Sequence, residues 1–526
     1  VELQHISEFD RAVAGGKGEL VRFGASFLFM VGVMFLAATH GAGEGELLLV
    51  MAATAAAYMA MNIGANDVAN NVGPAVGAKA FSLLGALGIA AVFDIAGALI
   101  AGERVIERMR SGIIHPGMLS EPQILVWVML AALLASAVWI NIASALGAPV
   151  STTHSIVGAI MGGGIAAHGP EIVNWPVMGR IVASWVVSPV LGGVLAAMFL
   201  YFIKRSITHQ IDMAAAARRV VPALLGVMAW IFTTFLFVEG LGRLPSVTRG
   251  LALSCGLGAG VLTFAIVRAR VRDRGLFIPN TEHGVNRLFV LPLMFAAAVM
   301  SFAHGSNDVA NAVGPLAAIV HAVTYGSGPG QGATVAGWAM LVGALGIGVG
   351  LALFGPRVIR TIGSELTELD NMRAFSVAMG SALTVILASL LGLPVSSTHV
   401  VVGSVLGVGF LREYLDGSHE RMVEEFKAHH PQGDQEAIDD FMQRFGAASP
   451  DGKGELLKNL KRQSRSGEDP ARFAKWERKA MRRAYRQELV RRSQLRRILA
   501  AWVVTVPVSA LTAAALFHVI GGALPR

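Results

Sequence analysis

The sequence predicts an all-α polytopic membrane protein built from two repeats of inverted topology, with broken or re-entrant helices that form a mid-membrane site. Three observations predict it. The 526-residue chain is 54% hydrophobic and only 15% charged, with a mean hydropathy of +0.58, whereas soluble domains carry about 25% charged residues. Apolar windows of about 20 residues, enough to cross a bilayer, recur along the chain outside 411–498. Four sequence blocks occur twice, in the same order.

Residues 1–45 read as an N-terminal extension with one transmembrane helix at 22–39. The first 20 residues are charged and lack the apolar core of a signal peptide, so no cleaved leader is expected. Repeat 1, 46–203, holds apolar windows at 46–62, 82–101, 124–146 and 179–203, with a shorter piece at 154–167. Residues 204–286 connect the halves through helices at 220–240 and 250–267, flanked by basic loops. Repeat 2, 287–410, holds 288–303, 334–354, 374–391 and 399–410. A hydrophilic insert follows at 411–498, then a final helix of repeat 2 within 499–526. The 61 glycines suit closely packed transmembrane helices. The one cysteine, Cys255, excludes internal disulfides and cysteine-based metal sites.

The duplication rests on matched strings. GANDVANNVGP (64–74) matches GSNDVANAVGP (305–315), which sets Asp67 opposite Asp308. LGAPVSTTHSIVG (146–158) matches LGLPVSSTHVVVG (391–403), which sets His154 opposite His399. GERVIE (102–107) matches GPRVIR (355–360), and ASWVVSPV (183–190) matches AAWVVTVPV (500–508). Between its last two blocks the second half carries about 72 extra residues, which fall in the insert. That insert is acidic first and strongly basic towards its end, and it reads as a solvated, partly helical loop. A basic segment ending against a transmembrane helix is expected on the cytoplasmic side. Its counterpart in the first half, 168–179, has no Lys or Arg and reads as the outer side. Equivalent loops on opposite faces imply inversion, a common plan in secondary transporters. The loops near 104–110 and 357–373 are both basic and cut the other way.

Each aspartate stretch raises a question of cost. A carboxylate at membrane depth costs on the order of 3 kcal/mol and needs a partner. Asn66 and Asn70 lie four apart on one helical face, as do Asp67 and Asn71, and Asn307 and Asn311 repeat the first pair. Gly64, Gly73 and Pro74, with Gly305, Gly314 and Pro315, weaken helix on both sides, so each stretch is expected to be a broken or re-entrant helix. In the second motif, Pro149 and Pro394 end a helix. Ser151, Thr152 and Thr153, and Ser396, Ser397 and Thr398, then cap the next one. Helix N-termini offer free N–H groups and a positive dipole end, so two of them facing each other would cradle one small oxyanion. The plainer alternatives are a helix-pairing polar cluster and ordinary capping.

No Arg or Lys lies within the four motif cores. Two carboxylates and an anion repel in a low-dielectric pocket, so cations must enter with the anion. Na⁺ on the hard oxygen ligands, including Asp67 and Asp308, or protonation of the aspartates would meet that need. Asp94 is a further intramembrane acid whose aligned position in the second half is Ile347, so it has no twin. It reads as a cation or proton site, or as a helix-pairing group. His154 and His399 read either as supporting donors or as direct site residues. His304 aligns with Ile63, so no role shared by both halves is expected for it.

These strings resemble those of the inorganic phosphate transporter family. The paired GANDVANNVGP and GSNDVANAVGP, and the paired PVSTTH and PVSSTH, carry the resemblance, which spans about 46–410 and the final helix. It implies symport of inorganic phosphate with Na⁺ or H⁺, or in some bacterial members of a neutral metal–phosphate complex. It implies phosphate contacts at Ser151, Thr152, Thr153, Ser396, Ser397 and Thr398, helped by Asn66 and Asn307. It implies cation contacts at Asp67, Asn70, Asp308 and Asn311. The family usually has an acid at the position of Asp94, which favours a functional role there. The late position of the largest loop, the helix at 22–39 and the two joining helices depart from the family pattern.

The expected protein is therefore a multi-pass cell-membrane transporter, in a bacterial inner membrane, and not an enzyme. Its partners are phosphate, a coupling cation and membrane lipid, with no nucleic acid and no cofactor; homo-oligomer formation stays open. Sulfate is the close alternative substrate. From another class, Ser151 and His154 on one helical turn raise an intramembrane hydrolase, although duplication fits one shared pocket better than two active sites. A channel is a further alternative. No Walker-type phosphate loop is present in the sequence to couple ATP.

Overall fold

The computed structural model describes residues 2–41, 45–119, 121–146, 150–240, 247–273, 279–326, 335–363, 369–416, 435–447, 450–466, 473, 476–478, 481 and 492–523. The described residues are helical apart from turns, short loops and one isolated bridge, Ile114 with Val173. Among the described residues, eleven helical segments are long and apolar enough to cross a membrane. This is a multi-pass membrane protein.

In chain order the helices are α1 (Glu2–Ala38), α2 (Gly45–Gly77), α3 (Leu83–Ala101), α4 (Glu103–Ser111), α5 (Pro122–Ala145), α6 (Thr152–His168) and α7 (Trp175–Ile203). Then follow α8 (Met213–Gly240), α9 (Arg249–Asp273), α10 (Glu282–Asn286), α11 (Val290–Asp308), α12 (Ala310–Tyr325), α13 (Gly337–Gly363), α14 (Asn371–Leu390) and α15 (Ser397–Asp416). The last three are α16 (Gln435–Ala447), α17 (Pro450–Ser466) and α18 (Arg492–Ala523).

The chain divides into two compact units, Val1–Val405 with Ile498–Arg526, and Leu406–Arg497. The smaller unit overlaps the expected 411–498 insert, much of which lies outside the described residues. It has a small apolar core of its own, from Ile438, Met442, Leu460, Phe473 and Met481.

Within the larger unit, burial separates central from peripheral helices. The most apolar windows of α2, α5 and α14 are 67%, 72% and 78% buried, against 11% for α1 and 17% for each of α9 and the α18 segment. The peripheral helices keep large apolar side chains outward, such as Phe27, Leu257 and Leu511, as a lipid-facing surface requires.

The two halves interlock reciprocally. A Cβ on Gly64 would collide with the carbonyl of Ile347, and one on Gly305 with the carbonyl of Asp94, the aligned residue in the other half. Gly97 meets Phe302 and Gly350 meets Met61 in the same exchanged fashion. So do Gly158 with Val506 on α18 and Gly403 with Pro189 on α7. Each of these contacts therefore occurs twice, with the roles of the halves exchanged. Small residues permit them, because only a missing side chain lets two helix backbones approach so closely.

The first aspartate stretch is not where a helix breaks, contrary to the expectation from its glycines and proline, while the second is interrupted at Val309 alone. α2 runs unbroken through Asp67, and α11 and α12 meet at Val309, which keeps helical dihedrals of φ −57 and ψ −30. The physical reason is that Gly64 and Gly305 serve close packing, while Pro74 and Pro315 each remove only one helical hydrogen bond. The breaks fall at the Ser/Thr motifs, between α5 and α6 and between α14 and α15.

Candidate functional site

Ser151 and Ser396 cap α6 and α15. Their hydroxyl oxygens accept the backbone N–H of His154 at 3.1 Å and of His399 at 3.3 Å. The next residues, Thr152, Thr153, Ser397 and Thr398, occupy the first turns and are buried. Pro394 precedes the second cap, while Pro149 lies outside the described residues. Each first turn therefore combines hydroxyls with backbone N–H groups and a positive helix end.

The hydroxyls meet the aspartates. Asp67, fully buried, accepts from Thr152 at 3.0 Å and from Thr398 of the other half at 3.2 Å. It also accepts from Asn66 at 2.9 Å and Asn70 at 3.1 Å. Asp308, equally buried, accepts from Ser397 at 3.0 Å. Asn70 donates to Thr398 at 2.9 Å, and its aligned residue Asn311 donates to Thr153 at 3.1 Å. Asn66 donates to the Val150 carbonyl at 3.1 Å, and Ser144 donates to the Asn66 side chain at 3.1 Å. In the second half Asn307 donates to Ser389 at 3.2 Å and accepts the Val395 N–H at 3.1 Å. Pro74 and Pro315 lack the N–H that would occupy the carbonyls of Asn70 and Asn311.

The centre of the pocket is His304. Its Nδ1 lies 2.8 Å from Asp94 Oδ1. Its Nε2 lies 3.0 Å from Asp308 Oδ2 and 3.7 Å from Asp67 Oδ2. Asn71 donates to the other Asp94 oxygen at 2.9 Å. Asp308 Oδ1 and the side-chain carbonyls of Asn71 and Asn311 are buried without a hydrogen-bond partner among the described residues. One ligand atom each from Asp67, His304 and Asp308 lie within 4.8 Å of one another, a grouping that could hold a metal ion. Three carboxylates face one imidazole here, and no Lys or Arg makes these contacts. An anion arriving alone would be repelled; one arriving with cations would not.

The structure thus joins Asn66, Asp67, Asn70, Thr152, Thr153, Thr398 and Asn311 by side-chain hydrogen bonds. It also joins Asp308 with Ser397, and Asp94 with Asn71 and His304. Ser151 and Ser396 bond only the helix ends they cap, and Asn307 bonds Ser389 and the loop before the second cap. His154 and His399 stand behind these residues. Their rings lie 4.3 Å apart, edge-on; that of His154 is tilted against Trp185 at 3.8 Å and that of His399 stacks on Trp502 at 3.4 Å. Neither ring bonds a cap hydroxyl. Sequence reasoning gives no site role to His304, Ser144 or Ser389, and notes Asn71 only for its spacing. A histidine at membrane depth is itself a signal; its lack of a symmetric twin hides it.

Comparison with known proteins shows the family. The model of a phosphate transporter family matches residues 63–513. The chain belongs to the phosphate transporter family. A Helicobacter pylori relative, provisionally named a phosphate permease, is 45% identical over 529 residues and 99% of each chain. A Chlamydia trachomatis relative with the same provisional name is 43% identical over 70% of this chain and 90% of its own. A solved structure titled the sodium-dependent phosphate transporter superposes with a TM-score of 0.74 at 31% identity, over 91% of this chain and 100% of its own. Family membership places the chain among transporters, not enzymes. The Ser151 hydroxyl meets the backbone of His154 and not its ring, so the nucleophile–base pair of a hydrolase is not formed.

Proposed function

We propose that this member of the phosphate transporter family is a secondary active symporter that carries inorganic phosphate together with a cation, Na⁺ or H⁺, across the inner membrane of a bacterium. The observation that carries the reading is the adjacency of two capped helix N-termini to a carboxylate pocket with unpartnered acceptors. The caps at Ser151, Thr152 and Thr153 and at Ser396, Ser397 and Thr398 supply N–H and O–H donors for a tetrahedral anion. Asn66 and Asn307 hold the cap loops. Asp67 and Asp308, with Asn70 and Asn311, supply oxygen ligands for the cation, as hard cations prefer. The relative titled a sodium-dependent phosphate transporter supports Na⁺ as the first cation to test. The reciprocal contacts of the halves, with the sidedness of the basic insert, support inverted repeats that rock about this shared site.

The test is uptake of radiolabelled phosphate by reconstituted liposomes, under an inward Na⁺ gradient and separately an inward proton gradient, with excess sulfate as competitor. Uptake that follows either gradient and ignores sulfate is the expected result. Uptake abolished by sulfate would reassign the anion. Equilibration without accumulation would make the protein a channel.

A further inference from the structure

The two aspartate motifs match in sequence and differ in what covers them. On α2, Ala65, Asn70, Gly73, Val76 and Gly77 are partly exposed and lie on one face of the helix. That face runs on to Lys79, which is exposed just beyond the helix end. The aligned residues of the second half, Ser306, Asn311, Gly314, Ala317 and Ala318, are all buried. The glycines show the cause. A Cβ on Gly314 would lie 2.5 Å from the Cβ of Met109, because α4 packs on α12 there. A Cβ on Gly73 would meet nothing within 4 Å among the described residues. The second motif is thus covered, and the first lies open along its length.

The open face carries groups that hydrocarbon would not satisfy. Asn70 brings an amide, and Pro74 leaves its carbonyl without the helical N–H. Lys79 brings a charge, where the aligned residue is Val320. Lys79 also holds φ +55, a left-handed conformation at a helix end that glycine adopts more cheaply. The face leads to the site: Asn70 donates to Thr398 of the second cap at 2.9 Å and to Asp67 at 3.1 Å.

On the reading that the caps bind phosphate, we propose that this face of α2 is the aqueous route by which phosphate meets them from the cytoplasmic side, with Lys79 drawing the anion to its mouth. The basic insert sets the side. The Ser381 hydroxyl on α14 donates to that of Ser404 on α15 at 2.9 Å, so α15 doubles back along α14. The connection from α13 to α14 therefore lies on the side of the insert that follows α15. Inverted repeats place the aligned connection from α3 to α4 on the opposite side. One helix earlier, the loop from α2 to α3 with Lys79 returns to the insert's side, the cytoplasm. α4 closes the external approach.

The test is thiol labelling of the full chain in membrane vesicles, with Cys255→Ser removing the native thiol. Gly73→Cys and Val76→Cys probe the open face; Ala317→Cys, aligned with Val76, probes the covered one. A charged, membrane-impermeant methanethiosulfonate should modify the first two in everted vesicles and leave Ala317→Cys unreacted there. In right-side-out vesicles it should not reach Gly73→Cys, and phosphate should slow the reaction in everted ones. Lys79→Gln should slow phosphate exchange at sub-saturating phosphate by about tenfold at low ionic strength and leave it unchanged in about 0.5 M salt. Lys79→Arg should keep the rate. Reaction of Gly73→Cys with a lipid-soluble maleimide alone would make the face a lipid contact and overturn the proposal. Equal reaction of Gly73→Cys from both sides, or of Ala317→Cys in everted vesicles, would also overturn it. An equal loss in Lys79→Arg and Lys79→Gln would overturn the role of Lys79. Phosphate exchange by the unaltered chain, with Gly73→Cys unreactive from either side, would sink this proposal alone. Labelling as expected, with no protection by phosphate and no exchange, would sink the phosphate reading of the caps and uphold the open face.

Discussion

Two interfaces in this protein share one backbone plan and differ in chemistry. Where α2 meets α13, Gly64 lies on the carbonyl of Ile347; where α11 meets α3, Gly305 lies on the carbonyl of Asp94. The side chains that accompany this contact are Ile63 and Ile347 at the first interface, both buried, and His304 and Asp94 at the second. The packing thus occurs twice, and the Asp94–His304 pair once. The lesson is that the close approach of the helices does not depend on polar glue. A hydrocarbon pair fills the same place, so Asp94 and His304 are not needed to hold the helices together. Ion pairs taken out of water often add little stability over apolar residues of similar volume, which makes a functional reason for this one the better account.

The largest expected effect tests the shared plan. Gly64→Val and Gly305→Val should each prevent folding, because the new Cβ meets a backbone carbonyl that cannot move aside. Yields of monodisperse protein on size-exclusion chromatography would check this; normal yield for either variant would break the equivalence of the two interfaces. The next effect sharpens the contrast. Asp94→Leu leaves His304 without its partner and should cost about 3–5 kcal/mol, while Ile347→Leu at the twin position should cost under about 1.5 kcal/mol. Thermal unfolding in detergent reads both, and equal losses would contradict the division into polar and apolar interfaces. The smallest effect concerns the caps, where the halves remain alike. Ser151→Ala and Ser396→Ala should each cost about 1 kcal/mol of stability and weaken phosphate by similar factors. A loss confined to one cap would mean that the anion rests on one half only.

Part of the site is legible in the amino-acid sequence. The paired caps can be read from Ser151 and Ser396 because capping is a local affair, settled within three residues of the chain. The aspartates can be read because a carboxylate in an apolar run needs a reason. His304 cannot be read in the same way. Its meaning comes from Asp94, 210 residues away, and symmetry argues against it. The glycines around the aspartates are legible as special but not as what they are. The sequence shows that a side chain is missing at Gly64, not whether the backbone bends there or another backbone approaches.

What the sequence by itself determined is the membrane setting, the duplication, the helices and the capped ends, since each follows from hydropathy and residue preference over short spans. What only the tertiary structure decided is which surfaces of those helices meet. The exchange of contacts between halves, the unbroken course of α2 through Asp67, and the meeting of Asp94, His304, Asp67 and Asp308 in one pocket all arise there. The physical reason is that helices in lipid choose partners by close fit of small residues and by mutual satisfaction of buried polar groups, and both depend on residues distant in the chain.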